Sequence, residues 1–202
     1  MVKTPRARLL CVVALATAVG LFIALIPGHR GWFDVLVYYG TVNGWVHEGG
    51  RVYDYLVPGT HYGFTYPPFA AVVMLPMSML GWHTAIAVNV ALTAVACALV
   101  LYWLVDPIAR EHGWPRLFTF GVAACLLAAS QPARDTVSFG QVNLVLVALV
   151  LADAWLLASG RSRWAGIGTG LAAAIKLTPA IFIVYLLLAR RWRAAAVASA
   201  TA

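Results

Sequence analysis

Apolar stretches too long and too numerous for a water-soluble core decide what this chain can fold into. They cover residues 9–26, 69–80, 84–105, 117–129, 142–158 and 165–189. A straight helix needs roughly 20 residues to cross about 30 Å of hydrocarbon, and several of these stretches reach or approach that length. Charged residues make up only 10% of the chain, against ~25% in a soluble domain. So little charge cannot coat a surface that faces water, and the mean hydropathy is +0.85. The reading is an all-α, polytopic membrane helical bundle.

Charge placement gives it an orientation. The net charge is +7, but the cations form no continuous patch of the kind nucleic acid requires, so nucleic-acid binding is set aside. They sit between apolar stretches: Lys3, Arg6 and Arg8; Arg110 and Arg116; Arg161 and Arg163; Arg190, Arg191 and Arg193. The first apolar stretch exceeds the ~7–15 residues of a signal-peptide core, which predicts an uncleaved span. Its basic amino-terminal flank then lies in the cytoplasm and residues 27–68 form an extracytoplasmic first loop. Stretches 69–80 and 117–129 are short for a crossing, and such helices are tolerated at membrane depth where they border a protein cavity. Tryptophans 32, 82, 103, 114, 155, 164 and 192 mark stretch ends, as interface anchors do.

The last stretch contains Lys176 and Pro179 near its middle. Proline removes a backbone donor and kinks a helix. A hairpin bent at Lys-Leu-Thr-Pro would carry both flanking basic clusters to the cytoplasm and leave the lysine at its tip. The segment 106–116 reads as a loop with both signs of charge, which declares no side. Residues 194–202 read as the first turns of another span, so the chain is expected to be the amino-terminal part of a longer multispan protein.

Few residues can carry chemistry. Asp34 falls just past the first span, and "YYGTVNGW" after it, beginning at Tyr38, suits a short helix along the interface. A carboxylate held there can serve as general base toward a sugar hydroxyl. No second acid is close enough for a metal signature, and the histidines and the three cysteines lack ligand spacing. No metal and no cofactor is expected. Arg51 and Asp54 are spaced to pair with each other. In "FTYPPF" two prolines extend the chain before a span and hold Tyr66 at its mouth. The polar insert "QPARDTVSFGQVN" offers Arg134 and Asp135 as a mutually neutralising pair, and Gln141 and Asn143 as amides suited to sugar hydroxyls. Asp153 reads as structural. Lys176 is the strongest signal, because an ammonium inside an apolar stretch costs roughly 2.5–3.5 kcal/mol to insert. At a hairpin tip its natural counter-ion is a phosphate.

"FDVLVYY", "GGRVYDYLVPGTHYGFTYPPFAAVVMLPM", "FGQVNLVLVALVLAD" and "GTGLAAAIKLTPAIFIVYLLLARRWRA" occur in this order. Together they resemble the actinobacterial polyprenol-phosphate-mannose-dependent α-(1→2)-mannosyltransferases, multispan glycosyltransferases of the C-type fold. The resemblance implies inverting transfer of mannose on the outer face of the plasma membrane. Polyprenyl-phosphate-mannose would be the donor and a glycolipid or lipoglycan (a phosphatidylinositol mannoside, lipomannan or lipoarabinomannan) the acceptor. It places the family's first-loop aspartate on Asp34 and its Lys-x-x-Pro element on Lys176 to Pro179. Its GQxN element falls on Gly140 to Asn143, and its FTYPP element on Phe64 to Pro68. Donor or substrate contacts are accordingly expected from Lys176, Tyr38, Tyr66, Gln141, Asn143 and Arg134. The rival reading, a polyisoprenoid-lipid transporter or flippase, shares the broken helices and buried lysine but has no need of an acid at the interface. A third, a noncatalytic scaffold subunit, needs neither Asp34 nor Lys176.

Overall fold

The computed structural model describes residues 4–26, 28–161 and 163–202. Lys3, Pro27 and Ser162 lie outside the described residues. Among the described residues helices predominate, residues 48–67 form a loop, and a single β-bridge, Leu56 to Gly63, lies isolated within it.

Helix α1 (Pro5–Leu25) starts on Thr4, whose hydroxyl accepts the Ala7 amide at 3.2 Å, with Pro5 at its first position. That is a start signal proline tolerates, since the first amides have no helical partner. No residue of α1 is buried, as expected of a helix solvated by lipid. Helix α2 (Phe33–His47) buries Val35, Tyr38, Thr41 and Val42. Helix α3 (Pro68–Met74) ends in a 3-10 segment, Leu75–Met79, that contains Pro76. Helix α4 (Trp82–Glu111) has 30 residues, about 45 Å at 1.5 Å each. Helices α5 (Arg116–Ala129), α6 (Gln131–Phe139), α7 (Asn143–Ala158), α8 (Ile167–Ile175), α9 (Ile181–Leu188) and α10 (Trp192–Thr201) complete the chain. Among the described residues only α1 and α4 are both long and apolar enough to cross a membrane singly.

Two segments depart from the sequence reading. Residues 106–111 continue α4 rather than forming a loop, despite Pro107. Asp106 is the reason: it is buried and holds Arg110, one turn on, at 2.8 Å and Arg116 at the start of α5. The polar insert is also helical. Ala133 and Thr136 pack inward, and Gly140 ends α6 in the left-handed region at φ 73°.

The packing sorts the loops by end. Val12 of α1 lies against Gly121 of α5, and Arg8 borders the same groove as Ile108 and Trp114. The segment 106–116 therefore sits at the amino-terminal end of α1. At the other end the Ser138 hydroxyl donates to the Gly28 carbonyl and accepts the Arg30 amide at 2.6 Å, and the Trp32 amide donates to the Ser138 carbonyl at 3.2 Å. The segment 131–141 thus joins the first loop.

The hairpin expected at Lys176 is present. Lys176 is extended (φ −144°, ψ 131°) between α8 and the 3-10 turn Thr178–Ala180. Gly166, at φ 109°, has the Ala194 carbonyl where a Cβ would be, and Gly170 meets Ala198 and Thr201. Helices α8 and α10 therefore run in parallel, α9 returns between them, and Arg163 and Arg193 share one end. Asp153, buried in α7, accepts the Thr169 amide at 2.6 Å and the Gly168 amide at 3.3 Å. It supplies the anion that the start of α8 favours, which is the structural role the sequence suggested.

Candidate active site

The site is built where the GQVN segment, Gly140 to Asn143, meets α2. Helix α6 closes in a Schellman arrangement: the Gln141 amide donates to the Thr136 carbonyl at 2.8 Å and the Gly140 amide to the Val137 carbonyl at 3.2 Å. A Cβ on Gly140 would collide with Val35 of α2. Glycine is thus required twice, for its backbone angle and for this close approach. The approach puts Gln141 beside Asp34, one residue before Val35.

From there hydrogen bonds run in one direction. The Lys176 ammonium donates to Asn143 Oδ1 at 3.0 Å. Asn143 Nδ2 donates to Gln141 Oε1 at 2.6 Å. With that oxygen occupied, Gln141 has its N–H groups left for Asp34, and its side chain favours the ionised carboxylate there. A second connection passes through aromatic groups. The ammonium stands 5.2 Å from the Tyr66 ring centroid, a cation–π contact, and the Tyr66 and Tyr38 hydroxyls are 2.8 Å apart. Pro67 is extended and Pro68 opens α3, so the prolines do hold Tyr66 at the mouth, where its carbonyl also accepts from the Tyr53 hydroxyl at 3.1 Å.

Burial raises the Asp34 carboxyl above its ordinary value, opposed by the Gln141 hydrogen bond and by the positive charge of Lys176. Burial also holds the Tyr38 phenol well above its ordinary range, helped by Tyr66 and the Asp34 charge. Tyr38 is consequently a neutral group at any physiological pH. Among the described residues ion pairs form only at Asp106, so Asp34 and Lys176 are coupled without direct contact.

Two hollows border this network. One, of about 440 Å³, is lined by Tyr53, Thr65, Tyr66, Pro67, Lys176 and Thr178. The other, of about 490 Å³, is lined by Gln141 and Asn143 together with Ser130, Gln131, Asp135 and Thr136. Asp34 is half-buried and lines neither hollow.

The structure brings together Asp34, Tyr38, Tyr66, Gln141, Asn143 and Lys176. It leaves Arg134 apart. The guanidinium stacks 4.8 Å from the Phe22 ring of α1 and its Nε is buried without a partner. It makes no ion pair with Asp135, because α6 turns the neighbouring side chains to different faces. Arg51 and Asp54 associate through the Arg51 backbone amide, which donates to the carboxylate at 2.8 Å, rather than through the guanidinium. The sequence reading missed Asn89, whose amide donates to the Gly140 carbonyl at 3.2 Å and steadies the turn from α4. A lone amide within an apolar stretch was the available signal.

Fold and site are those of a helical membrane protein with a polar chamber at one end of its bundle. The chain belongs to glycosyltransferase family 87, whose family model matches residues 64–202. Tyr66, Gln141, Asn143 and Lys176 fall within the match, and Asp34 and Tyr38 precede it. The chain is 35% identical over 183 residues to a polyprenol-phosphate-mannose-dependent alpha-(1-2)-phosphatidylinositol pentamannoside mannosyltransferase of Mycolicibacterium smegmatis, covering 87% of this chain and 42% of that protein. It is 32% identical over 188 residues to a polyprenol-phosphate-mannose-dependent alpha-(1-2)-phosphatidylinositol mannoside mannosyltransferase of Mycobacterium tuberculosis, covering 86% of this chain and 40% of the relative. The chain thus spans less than half the length of these curated relatives. No solved structure matches it.

Proposed function

We propose that the full-length protein transfers mannose from polyprenyl-phosphate-mannose to a phosphatidylinositol mannoside or related lipoglycan acceptor. The observation that carries this reading is the meeting of Asp34 and Lys176, 142 positions apart in sequence, through a short chain of amides beside two hollows. Family membership and the names of the relatives support the donor and the acceptor class.

Lys176 receives the donor phosphate and Tyr66 steadies the ammonium from below. Asp34 takes the proton from an acceptor hydroxyl, whose oxygen forms a bond to the anomeric carbon as the bond from that carbon to the phosphate oxygen breaks. Inversion follows from attack opposite the leaving group. Polyprenyl phosphate departs with the bonding pair, its charge met by Lys176. A phosphate is already a good leaving group, so the step is proposed to run without a metal. With the amino terminus of α1 read as cytoplasmic, the packing of residues 131–141 on the first loop supports an extracytoplasmic site in a multi-pass plasma-membrane protein.

The test is transfer of labelled mannose from polyprenyl-phosphate-mannose in membranes that carry the full-length protein. Labelled phosphatidylinositol mannoside is the expected product. Movement of the carrier lipid across the bilayer without glycosylation would replace the transferase with a transporter.

A further inference from the structure

Gln141 and Asn143 look, by residue type, like groups for sugar hydroxyls. Their bonding in the structure is committed elsewhere. Asn143 Oδ1 accepts from Lys176 and its Nδ2 donates to Gln141 Oε1. With its oxygen occupied by Asn143, Gln141 has only N–H groups to offer Asp34. The amide orientations are thus dictated from the lysine end: the ammonium can only donate, so Asn143 must present oxygen to it and nitrogen to Gln141, and Gln141 must do the same in turn. Hydrogen bonds aligned head to tail polarise one another.

We infer that Gln141 and Asn143 are positioning residues for the base: an oriented amide relay through which Lys176 determines that Asp34 is met by an N–H donor. Flipping either amide would aim an oxygen at the carboxylate and repel it. The relay also forces a spacing. The ammonium keeps free N–H groups for a phosphate and the carboxylate keeps an oxygen for a hydroxyl, whereas a direct ion pair would consume both. Gly140 belongs to the same device, since its close approach to Val35 carries Gln141 to Asp34. This inference rests on the reading of Asp34 as general base.

The decisive variant is Asn143→Leu, of similar size, because Asn143 makes no contact with Asp34. Without Asn143 nothing specifies the Gln141 amide. The acidic limb of the kcat/KM profile is then expected to move to higher pH, with ~10-fold lower kcat/KM near neutrality. Gln141→Met should shift the limb the same way, by removing the donor itself. If both variants reach the membrane at wild-type abundance and lose rate with the limb unmoved, the relay is wrong and the two amides merely contact substrate. Should Gln141→Met fail to accumulate, Asn143→Leu alone decides between these outcomes. Asp34→Asn in the same assay separates the layers. Full activity there removes the base reading itself, whereas loss of activity there with an unmoved limb in Asn143→Leu overturns only the relay.

Discussion

The chain keeps an acid and a base together at both ends of its bundle, and treats them oppositely. At one end Asp106 is buried and gripped directly by Arg110 and Arg116. At the other, Asp34 and Lys176 feel each other through two amides and touch nowhere. A direct ion pair spends its hydrogen bonds on itself and welds α4 to α5. The separated pair leaves both groups able to bind something else. Here the direct ion pair is structural, whereas the separated charges keep hydrogen-bonding capacity for a ligand.

Substitutions can break that contrast, beginning with the largest effect. Asp34→Asn should lower mannose transfer by about 10²–10⁴-fold, the usual worth of a general base, with unchanged abundance in the membrane. Transfer at the wild-type rate would put Asp34 on the same footing as Asp106. Lys176→Gln should cost about 10–100-fold in kcat/KM for the donor, the worth of a charge-assisted hydrogen bond to phosphate. Its mark is a raised KM for donor, against an unchanged KM for acceptor. Tyr66→Phe keeps the ring under the ammonium and loses only the hydroxyl pair with Tyr38, so a decrease of a few-fold is expected. Tyr66→Leu, which removes the cation–π contact as well, should be worse, and equal rates for the two would discount the ring. Asp106→Asn should leave the pH profile alone and lower stability by about 1 kcal/mol, a small figure because both arginines are more than half exposed. A thermal-shift measurement in detergent reads it.

The same contrast has a pH signature. Burial raises Asp34 in the folded protein, so the folded state holds its proton more tightly than the unfolded chain. That contribution to stability is complete below the ordinary carboxylate value and is lost as pH rises through the raised one. Activity runs the other way, since the base works only when ionised, and the acidic limb is expected above the ordinary carboxylate range. Asp34→Asn should therefore gain thermal stability at neutral pH while losing transfer. A variant less stable than wild type there would mean that the ionised carboxylate holds the fold together.

How much was readable in advance differs from residue to residue. Asp34, Tyr66 and Lys176 could be singled out because each is anomalous where it stands: an acid at a span end, an aromatic before two prolines, a cation inside an apolar stretch. Asp153 was also legible as structural, although its partners, the first amides of α8, were not. The expected pairing of Arg134 with Asp135 does not form, since a sequence places it among polar neighbours while α6 turns it toward Phe22. The helix through residues 106–111 was missed for a related reason: Pro107 argues for a break, and only the clasp of Asp106 by two arginines from different helices overrides it.

Residue order alone determined that this protein is a bundle of membrane helices with a break at Lys176. Those properties follow from local chemistry, from the insolubility of uncovered peptide groups in lipid and from the missing amide of proline. Which end each polar segment occupies, and that Asp34 faces Lys176 through Gln141 and Asn143, was decided only by tertiary packing. Such contacts depend on how closely helices approach, here on the absence of a Cβ at Gly140, and no periodicity along the chain records that distance.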